Sequence, residues 1–267
     1  KECSRIIAAI DLAEAFNIPI EWIPVSAGAM ISMNSGTENL DWTANVLTRI
    51  IEFTKNNGII HLIVHGINVG AQSYWNAEST MLMHTKGALI MTPEASMVLT
   101  GKKALDFSGG VSAEDERGIG GFERIMGPNG QAQFRATDLG DAYRILFEIY
   151  HHTYHLSGQS VPKQNTSDSS QRNICLYPYH STNSQFKRIG EIFSAEHNKE
   201  RKKPFAIRPV MQALVDQDST PLERYTNLHQ GESSVVWYAH IGGVAVTLLG
   251  IESQAILRRG RIPTDGP

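Results

Sequence analysis

The stretch Met97–Gln133, MVLTGKKALDFSGGVSAEDERGIGGFERIMGPNGQAQ, limits what this chain can fold into more than any other. Glycine stands at 101, 109, 110, 118, 120, 121, 127 and 130, among Ser, Ala and Asn rather than large apolar residues. Glycine is costly inside helices and central strands, because it loses the most backbone entropy and offers no side chain to pack. The composition therefore predicts a long loop with neither helix nor central strand. Val98, Leu99, Leu105, Phe107, Ile119, Phe122, Ile125 and Met126 give it apolar anchors, so it is not a disordered linker. Ordered loops of this length in a compact domain are usually functional, and this one would bring backbone close to a ligand.

Around that stretch the hydrophobic pattern alternates. Ile6, Ile7, Ile10, Ala13 and Phe16 recur at helical spacing, and Asn17 and Pro19 stop the helix. Ile20–Val25 reads as a strand, followed by a small-residue turn, Ser26-Ala27-Gly28-Ala29. Leu40–Phe53 reads as a helix burying Leu40, Ala44, Leu47, Ile50 and Ile51, with Gly58 beyond its end. Ile59–Val64 is a second strand, Gly66–Ala71 a second small-residue turn, and Gln72–His84 a helix. Ala88–Met91 is a third strand, and Pro93 suits the first turn of a helix reaching Thr100. Asp138–His151 is amphipathic, with Leu139, Ala142, Ile145, Leu146 and Ile149 inward. Strand, turn and helix at short spacing predict an α/β domain. Downstream, Gly158–Asn173 is polar and reads as an exposed linker. Ser184–Phe193 and Ile207–Asp216 read as short helices, and Val235–Ala239 with Val244–Ile251 as a hairpin through Gly242-Gly243. That hairpin is expected to expose an apolar face of Val236, Val244, Val246 and Leu248.

The 267 residues carry a net charge of −3, which gives no reason to expect a nucleic acid partner. No apolar run approaches the roughly 18 residues of a membrane helix, and no signal peptide is recognisable, so no membrane partner and a cytoplasmic location are expected. Cys3 and Cys175 lie far apart and read as free thiols in a reducing compartment. The chain begins inside a helical pattern without Met and stops just after a β pattern, and so reads as a fragment of a longer polypeptide.

Two segments carry a family resemblance. Leu99-Thr100-Gly101-Lys102-Lys103-Ala104-Leu105 and Gly120-Gly121-Phe122-Glu123-Arg124-Ile125-Met126 resemble segments of the carboxyltransferase component of biotin-dependent acyl-CoA carboxylases. The resemblance runs over nearly the whole chain, and is greatest to the large single-chain enzymes that also carry biotin carboxylase and biotin carrier regions. It implies a crotonase/ClpP-like spiral of ββα units, incomplete, plus the start of a second like domain. The expected domains are 1–158, truncated at its start; 159–233, a linker with short helices; and 234–267, opening the second domain. The activity implied is transfer of CO2 from carboxybiotin, carried on another domain, to the α-carbon of an acyl-CoA of the acetyl or propionyl class. The partners implied are the biotin carrier and biotin carboxylase regions and further copies of the chain. The fragment alone is expected to be nearly inactive. A biotin-dependent decarboxylase subunit, a crotonase-type hydratase or hydrolase, and a non-catalytic acyl-CoA-binding fragment stand as alternatives.

Abstracting the α-proton of a thioester puts negative charge on its oxygen, and backbone N–H groups can hold that charge. They are best offered by small-residue turns at helix N-termini. Ala27, Gly28, Gly70 and Ala71 are therefore the expected backbone donors. Taken alone, these turns read equally well as tight connections; the resemblance favours donors and implies two oxyanion holes, for the enolate and for the biotin ureido oxygen. Ser26, Ala29, Gly101, Ala104, Gly120 and Gly121 are expected to line the substrate. Met30 stands where many relatives have a basic residue, and Ala206 where they have an acid in Lys203-Pro204-Phe205-Ala206-Ile207-Arg208, so a salt bridge is expected to be missing there. His151, His152 and His155 have metal-like spacing, but at a helix end imidazolium favours the dipole, and no metal is expected. Ser26 and Ser108 lie outside any Gly-x-Ser-x-Gly elbow, and no strand directly precedes Gly118-Ile119-Gly120-Gly121 as a dinucleotide loop requires. The basic run Lys199, Arg201, Lys202 and Lys203 reads as a solvated face.

Overall fold

A computed structural model gives the fold. It describes all residues except 29–33, 35–36, 110–112, 156–157, 183 and 261–267, so Ala29 and Met30 lie outside the described residues. The chain divides into two compact units, Lys1–Leu146 and Phe147–Pro267.

The first unit opens with α1 (Glu2–Phe16), closed by Asn17 at φ 51°. There follow β1 (Ile20–Trp22), α2 (Glu38–Lys55), β2 (Ile60–Val64), β3 (Ile67–Val69), α3 (Ala71–Thr80), β4 (Leu89–Met91) and β5 (Ser96–Val98). Then come α4 (Lys102–Phe107), α5 (Glu116–Gly120), β6 (Phe134–Arg135) and α6 (Leu139–Thr153), whose residues from Phe147 onward belong to the second unit. Strands β1, β2, β4 and β6 form one parallel sheet in that order, with Ile20 opposite Ile60, Leu62 opposite Leu89 and Ile90 opposite Phe134. Strands β3 and β5 form a second parallel sheet, with Asn68 opposite Met97. Strand, strand and helix thus recur as β2-β3-α3 and β4-β5-α4, the expected α/β spiral of ββα units. Every residue of β2 and β4 is buried, as a parallel strand covered on both faces requires. Helices α1 and α2 supply Ile10, Ala13, Val46, Ile50 and Phe53 to that core. Arg49 of α2 pairs with Asp11 at 2.7 Å and with Glu14, both on α1.

Several local expectations are corrected here. Pro93 opens a turn rather than a helix: the Ala95 N–H donates to Thr92 O at 3.0 Å, and Ser96-Met97-Val98 continue as buried β5. Gly66–Ala71 is not all turn, because Ile67–Val69 pairs as β3. On α2 the buried face is Val46, Ile50, Phe53 and Thr54, while Leu40 and Ala44 are exposed. The stretch 97–133 is not helix-free: it holds α4, α5 and one π-helical turn, Phe122–Met126. Its elements are only five or six residues long, and Gly101 and Gly121 sit at their ends, where glycine costs little. Gly120 is required by packing, since a Cβ there would lie 1.9 Å from Met97 O.

The second unit contains α7 (Ile189–Phe193), α8 (Ile207–Leu214), β7 (Leu222–Arg224), β8 (Ser234–Ile241) and β9 (Val244–Ile251). The expected hairpin is β8-β9, turned by Gly242 and Gly243 at φ 60° and 75°, whose N–H groups donate to the Asp216 carboxylate at 2.6 and 2.7 Å. It is better covered than expected. Strand β7 pairs with β8, and the Ala245 N–H donates to Pro162 O at 3.1 Å. Met211 packs with Val235 and Trp237, and Ile207 and Leu248 pack against them; Val236, Val244, Val246 and Leu248 are each half-buried. Arg208, lacking an acid at 206, pairs with Glu223, which also accepts the Trp237 Nε1–H at 3.0 Å. Segment 158–173 has no regular element, yet Asp218 accepts the Ser167 N–H at 2.6 Å and Arg172 pairs with Asp168 at 2.9 Å.

His152 and His240 are buried with rings stacked at 4.7 Å, and exposed His151 lies edge-on to both at 5.2 and 5.1 Å. Burial, then the neighbouring imidazoles His240 and His151, push His152 down from 6.5 to about 4; burial and then His151 lower His240. The unfolded chain therefore binds more protons between these values, so this contribution to stability is complete above about pH 6.5 and lost as pH falls toward 4.

Two outcomes are expected. Urea titrations should show this unit losing about 2–3 kcal/mol between pH 7 and pH 4 through His152, and His152→Phe should flatten that slope. An unchanged slope would remove His152 as its source. Gly120→Ala should destabilise the first unit by about 3 kcal/mol in a thermal melt, because a methyl cannot share space with the Met97 carbonyl.

Candidate functional site

The two small-residue turns lie against each other. Past β1, Ser26 bridges in parallel to Asn68 of β3, and the Val69 N–H donates to Ser26 O at 3.0 Å. A Cβ on Gly70 would sit 3.5 Å from the Gly28 Cα, and one on Gly28 3.5 Å from Val69 O. Gly28 has φ 92°; Gly70 has φ 68° and ψ −130°, a combination closed to side chains, and it swings the chain from β3 into α3.

The N–H groups at these turns have different fates. The Gly28 N–H donates to Ser26 Oγ at 3.1 Å, and the Gly70 N–H to Val98 O of β5 at 2.9 Å. Ala71 and Gln72 open α3, where helix geometry leaves their N–H groups without an intrahelical acceptor and with partial positive charge. Ala27 is exposed at the first turn. A buried amide network fixes this arrangement. Asn68 Nδ2 donates to Pro24 O at 3.1 Å, Gln72 Nε2 to Asn76 Oδ1 at 2.9 Å, and Asn76 Nδ2 to Asn68 Oδ1 at 3.4 Å. Ser73 Oγ lies 3.0 Å from both Asn68 O and Val98 O. None of these four side chains was singled out from the sequence; the usable signal was Gln72 and Asn76 at i, i+4 on a helix whose neighbours are apolar.

Ser26, Gly28, Ala71 and Gln72 line a cleft of about 620 Å³, with Trp22, Trp42 and Trp75 on its walls. Trp22 and Trp75 stack at 6.1 Å, and Trp75 Nε1–H donates to Thr43 O at 3.1 Å. Gly101, Ala104, Gly120 and Gly121 are outside this lining. Gly101 precedes α4 and Ala104 is exposed on it; Gly120 and Gly121 are buried, with Gly121 bridged to Ser96. Of the acidic run 114–116, Asp115 is used as the α5 cap: it accepts the Gly118 N–H at 2.8 Å, and that bond, with Arg117 beside it, lowers its pKa. Among the described residues no three of His, Cys, Asp or Glu are grouped to hold a metal, and no helix is long and apolar enough to cross a membrane.

The family model described as the carboxyl transferase domain matches residues 1–257. Comparison with curated proteins returns no match. Among solved structures, transcarboxylase 12S with hydrolysed methylmalonyl-coenzyme A bound aligns with TM-score 0.71 and 18% identity, over 94% of this chain and 43% of that one. The same protein with methylmalonyl-coenzyme A and methylmalonic acid bound gives 0.70 and 17%, over 94% and 43%. A single-chain, multi-domain long-chain acyl-CoA carboxylase gives 0.65 and 15%, over 93% and 21%. The chain thus spans less than half the length of these relatives. At such identity the likeness is one of fold, the crotonase-like spiral already described. With the family match covering nearly every residue, the chain belongs to the carboxyl transferase domain family.

Proposed function

We propose that this chain is the carboxyltransferase part of a biotin-dependent acyl-CoA carboxylase, transferring a carboxyl group from carboxybiotin to the α-carbon of an acyl-CoA. The observation that carries this reading is the meeting of the Gly28 and Gly70 turns at the N-terminus of α3, in a chain of the carboxyl transferase family. When bound, carboxybiotin supplies the carboxyl group. The chain's own part is to hold the acyl-CoA and stabilise the charge that collects on its thioester oxygen as the α-proton leaves. Ala71 N–H, with Gln72 N–H beside it, is assigned to that oxygen; one such donor is worth about 3–4 kcal/mol. Gly70 acts as the residue that aims it, since its own N–H is held by Val98. The first turns of α1 and α2 also border the cleft, but the α3 terminus is the one that both glycine turns meet, and it is assigned a single oxyanion. The ureido oxygen of biotin is accordingly assigned to donors outside Lys1–Leu146, in keeping with a site completed by another domain or copy. Among the described residues Glu2 is the one carboxylate in the cleft lining, with no His or Asp; the proton acceptor is assigned to the group that arrives with the carboxyl donor.

Ala71→Pro tests the donor. Proline is tolerated at the first position of a helix but has no N–H. In the complete enzyme this variant should keep its circular dichroism spectrum and lose ~10²-fold or more in carboxyl transfer. A folded variant with full activity would show that Ala71 is not the donor. Gly70→Ala should lose a comparable factor by misaiming the helix terminus, because a side chain is strained at φ 68°.

A further inference from the structure

Three of the chain's four tryptophans, Trp22, Trp42 and Trp75, line the cleft that Gly28 and Ala71 also line. Cys3 and Ile6 of α1, and Ile23 and Val25 beyond β1, extend this apolar side of the cleft, while Asn39, Thr43 and Gln72 give it a polar side. Val25 is 75% exposed and Trp42 51% exposed, although each large apolar group left in water forgoes burial free energy. The charged members of the lining are Lys1 and Glu2, of opposite sign. Such a wall suits neither a diphosphate nor a free carboxylate.

From this we propose that the cleft is the acyl subsite and selects a bulky apolar acyl group over acetyl, with Trp42 as the specificity-determining residue. The proposal rests on the reading that Ala71 N–H meets the thioester oxygen. Both the acyl carbons and the thioester sulfur are bonded to that carbonyl carbon; of the two chains leaving it, the acyl tail has no polar group to satisfy and is assigned to the apolar side of this cleft. The adenine of CoA stands at the far end of a long phosphorylated arm, and its phosphates would find no net positive charge in this lining. An acetyl group would leave most of a cleft of about 620 Å³ filled with water. Each further methylene buried there should tighten binding by up to ~4-fold until the cleft is full. Trp22 and Trp75 are fixed by their mutual stacking and by the Trp75 bond to Thr43, so they form a rigid wall. Trp42, half in water on the first turns of α2, is the side chain that an acyl tail would cover.

The two thiols give a readout that does not depend on turnover. Cys3 lines the cleft, whereas Cys175 is exposed in the other unit. Alkylation of both by iodoacetamide is followed in the full chain with acetyl-CoA, octanoyl-CoA or CoA itself present. The expected result is that octanoyl-CoA slows Cys3 alkylation at concentrations ~10-fold or more below those needed of acetyl-CoA, leaves Cys175 unaffected, and perturbs tryptophan emission. Trp42→Ala should abolish most of that chain-length difference while CoA binding is kept. Equal protection by acetyl- and octanoyl-CoA, or by CoA alone, would overturn the assignment. So would a Trp42→Ala chain with an undiminished difference. Chain-length-dependent protection, together with a complete enzyme that has its biotin domain and still transfers no carboxyl group, would uphold the acyl subsite while removing the carboxyltransferase reading.

Discussion

The structure of the first unit hangs on one close approach, that of the Gly28 and Gly70 backbones. The turn leaving β1 and the turn leaving β3 meet with both glycines at positive φ, 92° and 68°, where a side chain is strained; a Cβ on either would stand 3.5 Å from the other turn, an ordinary contact, so conformation rather than room calls for glycine. The Ser26–Asn68 bridge and the Val69-to-Ser26 hydrogen bond then tie β1's exit to the smaller sheet. The Gly70-to-Val98 bond ties the same turn to β5. Three strand ends are thereby registered around the start of α3. The fully buried Asn68 pays its desolvation cost through bonds to Pro24 O and Asn76. The terminus of α3 is thus held from both sheets, and a helix terminus held that firmly needs no reorganisation when charge develops in front of it.

What the sequence made legible was what has a period. The apolar runs Ile59–Val64 and Ala88–Met91 appear as β2 and β4, the amphipathic Asp138–His151 as α6, and the Gly-Gly hairpin as β8-β9. What it hid was set by pairing between distant segments. Strands β3 and β5 have three residues each, too few for alternation to show, and they exist because they pair with each other. Proline at 93 is a fair helix-start signal, but three buried residues following it found a strand partner, and tertiary pairing outweighed a local preference. In the stretch 97–133, glycine abundance predicts a loop without helix, yet short helices form there. The residues between the glycines suffice for single turns, and the glycines themselves serve as caps and as points where backbone meets backbone.

The candidate site was legible to the same extent. Residue types marked the two turns, and the structure brings Ser26, Gly28, Gly70 and Ala71 together. Composition could not say which N–H groups were already used inside the fold, because that depends on Ser26 folding its hydroxyl back and on β5 arriving beside Gly70. Nor could it gather Trp22, Trp42 and Trp75, which come from three different elements and share no spacing.

A site built in this way bears on how far its sequence can drift. On the proposed reading the reactive groups are backbone N–H groups, which every residue but proline supplies. Selection then acts on φ, on the room left for a Cβ, and on the amides that hold the helix start, rather than on a catalytic side chain. The first two tolerate many neighbouring sequences so long as glycine remains where the chain turns or touches itself. The cleft wall, by contrast, is free to change with the acyl group it must admit, since the amide bonds that hold the start of α3 run through Asn68, Gln72 and Asn76. A fold kept at TM-score 0.71 with 18% identity is what such a division of labour would leave behind: geometry retained at a few small residues, and side chains exchanged almost everywhere else.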